Sequence, residues 1–281
     1  MRTRPTAERR TPRSGRLLVV TVALVLAAAT AGAQFRRFGR MPDFATLEDF
    51  DGSFQFCRVA FRSDRNGDGG NWSVDWPRAD ENLSTRLSEL TKTTVGRDPE
   101  GTPKHLLVRL TDPTLFRCPF IMMTEVGSAY IDSEEAAKLR EYLVKGGFLW
   151  ADDFWGEYAW AFWERQIRKA LPSGRYRIVD LDPDTHPVFH TLMAIPNVPQ
   201  IPSINFWGGV KGRTSERGRD SAVPHARAIN DDRGRIMVLM THNTDIGDSF
   251  EREGDSRRYF LEFSVQGYAF GVNTLLYAMT H

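Results

Sequence analysis

The chain of 281 residues is 41% hydrophobic and 26% charged, a balance that excludes a wholly disordered, collagenous or coiled-coil protein. Its formal net charge of +1 hides an asymmetry: residues 1–33 hold six arginines and one glutamate, and the rest carries 31 basic against 35 acidic side chains, a net of −4. A mildly acidic body does not look like a nucleic-acid binder, which needs a basic face to replace the counterions of a phosphate backbone, so nucleic acid is not an expected partner. The length suits one large domain or two small ones.

The N-terminus reads as an export signal. Arg2, Arg4, Arg9, Arg10, Arg13 and Arg16 make a positive start, and Leu17 to Ala29 is a 13-residue apolar run. Ala31-Gly-Ala33 then has the small-x-small spacing that signal peptidase cleaves. A spanning helix needs about 20 apolar residues, so cleavage after Ala33 is expected over an uncleaved anchor. The expected localisation is periplasmic or secreted, with no membrane span after cleavage. Residues 34–50 read as a loose leader and 51–281 as one α/β domain. Export puts Cys57 and Cys118 where a disulfide is open to them. Each lies in or beside an expected core strand, however, and the favoured reading is two buried free thiols. Neither belongs to a CxxC pair, which argues against a redox motif or a cysteine zinc site.

In chain order, Phe54–Phe61 reads as a strand with Phe54, Phe56 and Arg58 on one face. Ser63–Asn71 is a polar, glycine-rich loop. Asp80 opens a helix with Leu83, Leu87 and Leu90 in one stripe. His105–Leu110 is a second strand, and Pro119–Thr124 a third whose unbroken apolar run suits burial on both faces. Asp132-Ser-Glu-Glu135 is a capping box. The helix behind it buries Ala136, Leu139, Tyr142 and Leu143, and Gly146-Gly147 stops it. Phe148–Asp153 follows as a strand ending in two carboxylates. Glu157–Ala170 is an aromatic-rich helix stopped near Pro172, and Tyr176–Leu181 is a fifth strand. Residues 182–224 are loop-rich. His225–Ile229 and Arg235–Met240 flank a turn as a hairpin, and Tyr259–Met279 closes the chain as a helix broken near Gly267 or Gly271. This alternation predicts a three-layer, mainly parallel, doubly wound α/β sheet with the hairpin as an antiparallel extension.

Standard site motifs are missing. There is no GxxxxGK[ST] loop, no GxGxxG after a strand, no GxSxG elbow and no HExxH, so no cofactor is expected. His186-Pro-Val-Phe-His190 has the i,i+4 spacing of a metal pair, but Pro187 disfavours a helix there. The segment reads as a turn with His186 at a helix N-terminus.

The run IDSEEAAKLREYLVKGGFLWADD, ending at Asp153, resembles the helix, glycine-pair, strand unit of class I glutamine amidotransferase-like folds. Those include trehalose-utilisation-type proteins and the trimerisation domain of some beta-galactosidases. More specifically, the chain resembles the bacterial DUF4159 family. The matching pieces are FQFCRVAF, Trp72 with Asp75-Trp-Pro77 and Ala79–Leu83, Pro119-Phe120, LREYLVKGGFLWADD, LDPDTHPVF, GDSFE, and Gly271–Asn273 with Tyr277-Ala278. The resemblance implies a flavodoxin-like three-layer fold and no established activity. An amidotransferase needs a cysteine at a sharp strand-to-helix turn; the corresponding turn here is Thr124-Glu-Val-Gly-Ser128, so glutaminase chemistry is not expected.

Ligands of open parallel sheets bind at the carboxyl ends of the strands. The residues expected there are Glu125, Asp152, Asp153, Trp155, His186, Asp245, Asp248 and Glu251. Such acids can hold a hard cation, do acid/base work or bind sugar hydroxyls; the alternative is that they cap helices and solvate loops. Adjacent strand residues face opposite ways, so Asp152 is assigned to the cleft and Asp153 to capping the helix at Glu157. Trp155 is a candidate cleft wall among seven tryptophans otherwise read as packing. The expected function is a non-catalytic ligand-binding or assembly module of the cell envelope, with a small molecule or an envelope protein as partner. The alternative is a hydrolase using the acidic cleft, on carbohydrate.

Overall fold

The computed structural model describes residues 44–209 and 212–281. The expected signal, its cleavage site and residues 34–43 of the leader lie outside the described residues. The end of the leader is not loose: Ala45 N donates to Leu107 O at 2.8 Å, and the Arg109 guanidinium lies 3.4 Å from the Phe44 ring centroid.

Nine strands are present among the described residues: β1 (Phe56–Val59), β2 (Arg62–Ser63), β3 (His105–Val108), β4 (Ile121–Thr124), β5 (Ala129–Tyr130), β6 (Leu149–Asp152), β7 (Ile178–Asp180), β8 (His225–Asn230) and β9 (Ile236–His242). Seven of them form one sheet in the order β3-β1-β4-β6-β9-β8-β7, and β2 pairs with β5. β3, β1, β4, β6 and β9 run parallel; β8 is antiparallel to β9, and β7 to β8. β6 is the middle strand, and all four of its residues are buried. The stretch read as a fifth strand is β7, a three-residue edge strand outside the parallel run.

Among the described residues, six helices of at least six residues flank the large sheet: α1 (Arg78–Leu90), α2 (Ser133–Val144), α3 (Gly156–Ala170), α4 (Ile204–Gly209), α5 (Ile246–Glu251) and α6 (Val265–Thr280). Strand alternation sorts the apolar residues into two cores. Val59, Ile121, Met123, Leu149 and Ala151 pack with Leu139, Leu143, Trp163 and Ile167 of α2 and α3. On the opposite face Phe56, Met122, Trp150 and Leu239 pack with Leu83, Leu87, Phe250, Phe270 and Leu275 of α1, α5 and α6. The result is a mostly parallel α/β sheet covered on both faces. No described helix is long and apolar enough to cross a membrane.

Helix ends follow local chemistry. Asp132 accepts from the amides of Glu134 and Glu135, Glu135 reaches back to Asp132 N, and α2 stops at Gly146 with φ 110°. Leu90, expected in the buried stripe of α1, is 49% exposed because α1 ends there. The final helix is irregular before its glycines rather than at them: Phe260–Ser264 is a π-helical segment running into α6. Gly271 instead allows close approach. A Cβ there would sit 2.7 Å from Phe250 Cζ and 2.9 Å from Leu83 Cδ1. Gly271→Ala is therefore expected to lose about 1–2 kcal/mol despite its better helix propensity, since overpacking costs about 1–3 kcal/mol against a gain of about 1. A melting temperature at or above that of the parent in a thermal scan rejects the close contact.

The two cysteines are not free thiols. Cys57 in β1 and Cys118 just before β4 form a disulfide with Cα atoms 6.1 Å apart. β1 and β4 are neighbours in the sheet, with Arg58 opposite Met122, and this long-range pairing brings the sulfurs together.

Candidate functional site

Three strand ends and one loop turn sharply around a cleft of about 530 Å³ at the carboxyl end of the parallel sheet. Glu125 follows β4, Asp153 follows β6 and Asp75 lies in the loop before α1; their φ values are 55°, 56° and 63°, and Asn243, just after β9, has 62°. Left-handed backbone is uncommon outside glycine and costs an L-residue roughly 1 kcal/mol or more. Here it turns each carboxylate out of its strand or loop direction and into the cleft.

The wall opposite the strand ends is the loop read as polar and glycine-rich. A Cβ on Gly69 would lie 2.7 Å from Glu125 Oε2, and one on Gly67 would lie 3.2 Å from Ser128 Cβ. Glycine at these positions lets the loop close on the Glu125 turn. Arg58 holds the next stretch. Fully buried, it donates from Nε to both Asp80 oxygens at 3.1 and 3.0 Å, and from Nη1 to Trp72 O and Val74 O at 3.4 and 3.3 Å, which places Asp75.

α5 supplies the third side. Asp245 caps it, accepting from Asp248 N at 2.8 Å. Asp248 Oδ2 accepts from Ile204 N at 2.7 Å and from Tyr259 OH at 2.9 Å, and Arg252 Nε stands 2.7 Å from Glu251 Oε2. Asp68, Glu216 and Arg217 complete the charged lining, with Arg217 paired to Asp68 at 2.8 Å. Among the described residues, eight carboxylates thus face two guanidinium groups.

Burial sets the electrostatics. It pushes the Glu125 carboxyl up to about 7, against the pull of the Gly70 amide, and Asp248 up to about 6, against Ile204 N and Tyr259 OH. Asp75, Asp153 and Asp245 are raised well above the carboxylate range, first by burial and then by one another and by Asp248 and Glu125.

Of the residues expected at the site, Glu125, Asp153, Trp155, Asp245, Asp248 and Glu251 line this cleft. Two do not. His186 sits beside Tyr277 with ring centroids 5.7 Å apart, and it caps the turn Pro187–Phe189 through Nδ1 at 3.3 Å from Val188 N. Asp152 is fully buried behind the cleft wall, where Oδ1 accepts from Thr241 Oγ1 and Oδ2 from Gly247 N at 2.9 Å.

The assignment of Asp152 to the cleft and Asp153 to capping is therefore overturned: Asp153 lines the cleft, and neither residue caps α3. Asp152 is the last regular residue of β6, opposite Thr124, and it keeps the strand's direction toward α5. Asp153 leaves the strand through its left-handed turn and accepts from Trp155 Nε1 at 3.0 Å. Asn243 and Asp220 serve the start of α3 instead, accepting from Gly156 N at 2.8 Å and Glu157 N at 3.2 Å. Trp155 is only 6% exposed, so it orients Asp153 more than it offers an open face. The residues not anticipated are Asp68, Asp75, Glu216, Arg217 and Arg252; Asp75 alone had a signal, the Asp-Trp-Pro run.

Burial also raises Asp152, to about 7, against hydrogen bonds from Thr241 and Gly247. A carboxyl whose folded value lies above its unfolded value binds more protons when folded, so its contribution to stability is present below about pH 4 and lost as pH rises to 7. A rise from 3.8 to about 7 corresponds to on the order of 4 kcal/mol. In EDTA, urea midpoints should fall between pH 4 and 7, and Asp152→Asn should flatten that slope, its Oδ1 accepting from Gly247 N and its Nδ2 donating to Thr241 Oγ1. An unchanged slope in the variant would assign the dependence elsewhere.

A larger hollow, of about 650 Å³, lies at the other end of the sheet beside Asp231–Arg235 and His281. Its charges pair locally, Arg175 with Asp232 at 2.9 Å and Arg235 with Asp231 at 3.0 Å. The acidic cleft, with its uncompensated carboxylates, is the stronger candidate. Compared with known proteins, the chain matches the model of one family, the domain of unknown function DUF4159, over residues 55–279. No curated protein matches it.

Proposed function

The chain belongs to the DUF4159 family, and we propose from that premise that it is an exported, non-catalytic ligand-binding module of the cell envelope. We further infer the flavodoxin-like, class I glutamine amidotransferase-like version of the three-layer fold, which the parallel run of five strands supports. The observation that carries the functional reading is the cleft itself, where eight carboxylates meet two arginines at the carboxyl ends of the strands. That lining suits a cationic or polyhydroxyl ligand.

The site lacks what glutaminase chemistry needs. Its sharp turn carries Glu125, and both cysteines are held in the disulfide. The disulfide suits an oxidising compartment and so supports export. A hydrolase acting on carbohydrate is the second reading. It is favoured by Glu125, a buried carboxyl held near 7 and so able to give up or take a proton at neutral pH.

A thermal-shift screen of the purified protein against polyamines, basic peptides, neutral sugars and divalent cations tests the binding reading. A shift that disappears in Glu125→Gln supports it, and a flat response to every class rejects it. Release of products from chromogenic glycosides, lost in Glu125→Gln, would replace it with the hydrolase. Export is tested on the fractionated cell: the envelope form should begin at Gln34, and full-length protein confined to the cytoplasm overturns it.

A further inference from the structure

We propose that the buried carboxylates of Asp75, Asp153 and Asp245 hold a hard divalent cation, calcium, magnesium or manganese, at the floor of the acidic cleft. This rests on the reading of the cleft as the ligand site and names what binds there first. One carboxylate oxygen from each of the three residues lies within 4.8 Å of the other two. Oxygens that share an ion at about 2.0–2.6 Å stand at most about 4–5 Å apart, so these three are close enough to meet on one ion.

The three residues are only 6%, 5% and 3% exposed, and none is in an ion pair among the described residues. Asp153 and Asp245 each have a donor, Trp155 Nε1 at 3.0 Å and Asp248 N at 2.8 Å. Asp75 has none. Its Oδ2 is buried without a hydrogen-bond partner, in a side chain that lines the cleft. A buried carboxylate is costly unless something positive or a donor meets it.

A neighbouring set points to the same place by contrast. Asp75, Asp248 and Glu251 also converge within 4.8 Å, but Arg252 Nε already stands 3.5 Å from Asp248 and 2.7 Å from Glu251. Among the described residues, the outer set has a guanidinium in direct contact, while the inner set is in no ion pair and Arg58 acts on Asp75 only from a distance. With oxygen donors alone and no thiol or imidazole in either set, the chemistry selects a hard cation.

The test is a thermal scan and equilibrium dialysis of the purified protein with Ca²⁺, Mg²⁺ or Mn²⁺ against EDTA, for the parent, Asp75→Asn and Glu251→Gln. Asparagine accepts the left-handed backbone of position 75. At a hundredfold excess over Kd, at least one of these ions should raise the parent melting temperature by about 5–10 °C. Asp75→Asn should melt higher than the parent in EDTA, because one repelling charge is gone, and should respond to none of the ions. Glu251→Gln should keep the response. A parent that responds to none of the three ions overturns the proposal, as does an Asp75→Asn that responds like the parent. A response lost in Glu251→Gln and kept in Asp75→Asn overturns it too. A shift with polyamines or sugars but with no ion leaves the cleft a ligand site and removes the cation from it.

Discussion

Arg58→Met is expected to cost about 3–5 kcal/mol of folding stability, the usual penalty for removing one partner of a buried ion pair. Arg58 and Asp80 are both fully buried. Methionine replaces the aliphatic stem but leaves the Asp80 carboxylate in the apolar layer between β1 and α1 with no positive charge against it. The variant also frees the carbonyls of Trp72 and Val74, which Arg58 holds at 3.4 and 3.3 Å, so the loop carrying Asp75 should loosen. Two readouts separate these effects. The urea midpoint by tryptophan fluorescence reports the stability loss, and hydrogen exchange over residues 71–77 reports the loop. Arg58→Met with Asp80→Leu should recover much of the stability, since an apolar pair avoids the desolvation cost, but not the protection of the loop. A single-variant loss below about 1 kcal/mol would mean the pair is not closed off from water as described.

Opening the disulfide is the second large effect. Cys57 and Cys118 are 61 residues apart in sequence, and in the chain-entropy model closing a loop of that length restricts the unfolded chain by about 4 kcal/mol at 25 °C. Against a typical total of about 5–15 kcal/mol, that is a substantial share. Both residues are buried, at 0% and 2% exposure, so reductant should not reach them in the folded protein. Unfolded in denaturant without reductant, the protein should take up no alkylating reagent; after reduction it should take up two equivalents. Refolded with the thiols blocked or replaced by alanine, it should melt well below the oxidised form. Two equivalents of label without prior reduction would return the cysteines to free thiols.

The parts of this architecture that could be read from the chain are those decided within a few residues. The capping box at Asp132, the glycine stop at Gly146 and the buried run of β6 each depend on local geometry, and each is present. What could not be read depends on partners far along the chain. That β1 lies next to β4, and so that Cys57 meets Cys118, is a fact of sheet order; burial alone fits a thiol as well as a disulfide. The roles of Asp152 and Asp153 turned on where β6 stops. Alternation rightly sends them to opposite sides, but the choice between them rests on a left-handed turn at Asp153 that aspartate tolerates without requiring. Asp75 was passed over because the Asp-Trp-Pro run that carries it says nothing about where the loop lies. Its place comes from Arg58, 17 positions earlier in the chain, which grips the carbonyls on either side of Ser73.

The left-handed turns at Asp75, Glu125 and Asp153 also make these positions informative under selection. At each, glycine or asparagine would remove a crowded charge and, with glycine, relieve roughly 1 kcal/mol of backbone strain. A library of variants scored by abundance alone should therefore enrich those substitutions, and the same library scored by ligand retention should deplete them. Most core positions, such as Trp150 or Leu83, should give the same ranking in both screens, because there folding and function ask for the same side chain. Disagreement between the two scores, concentrated at three acidic residues far apart in sequence, would outline the cleft without any knowledge of its ligand.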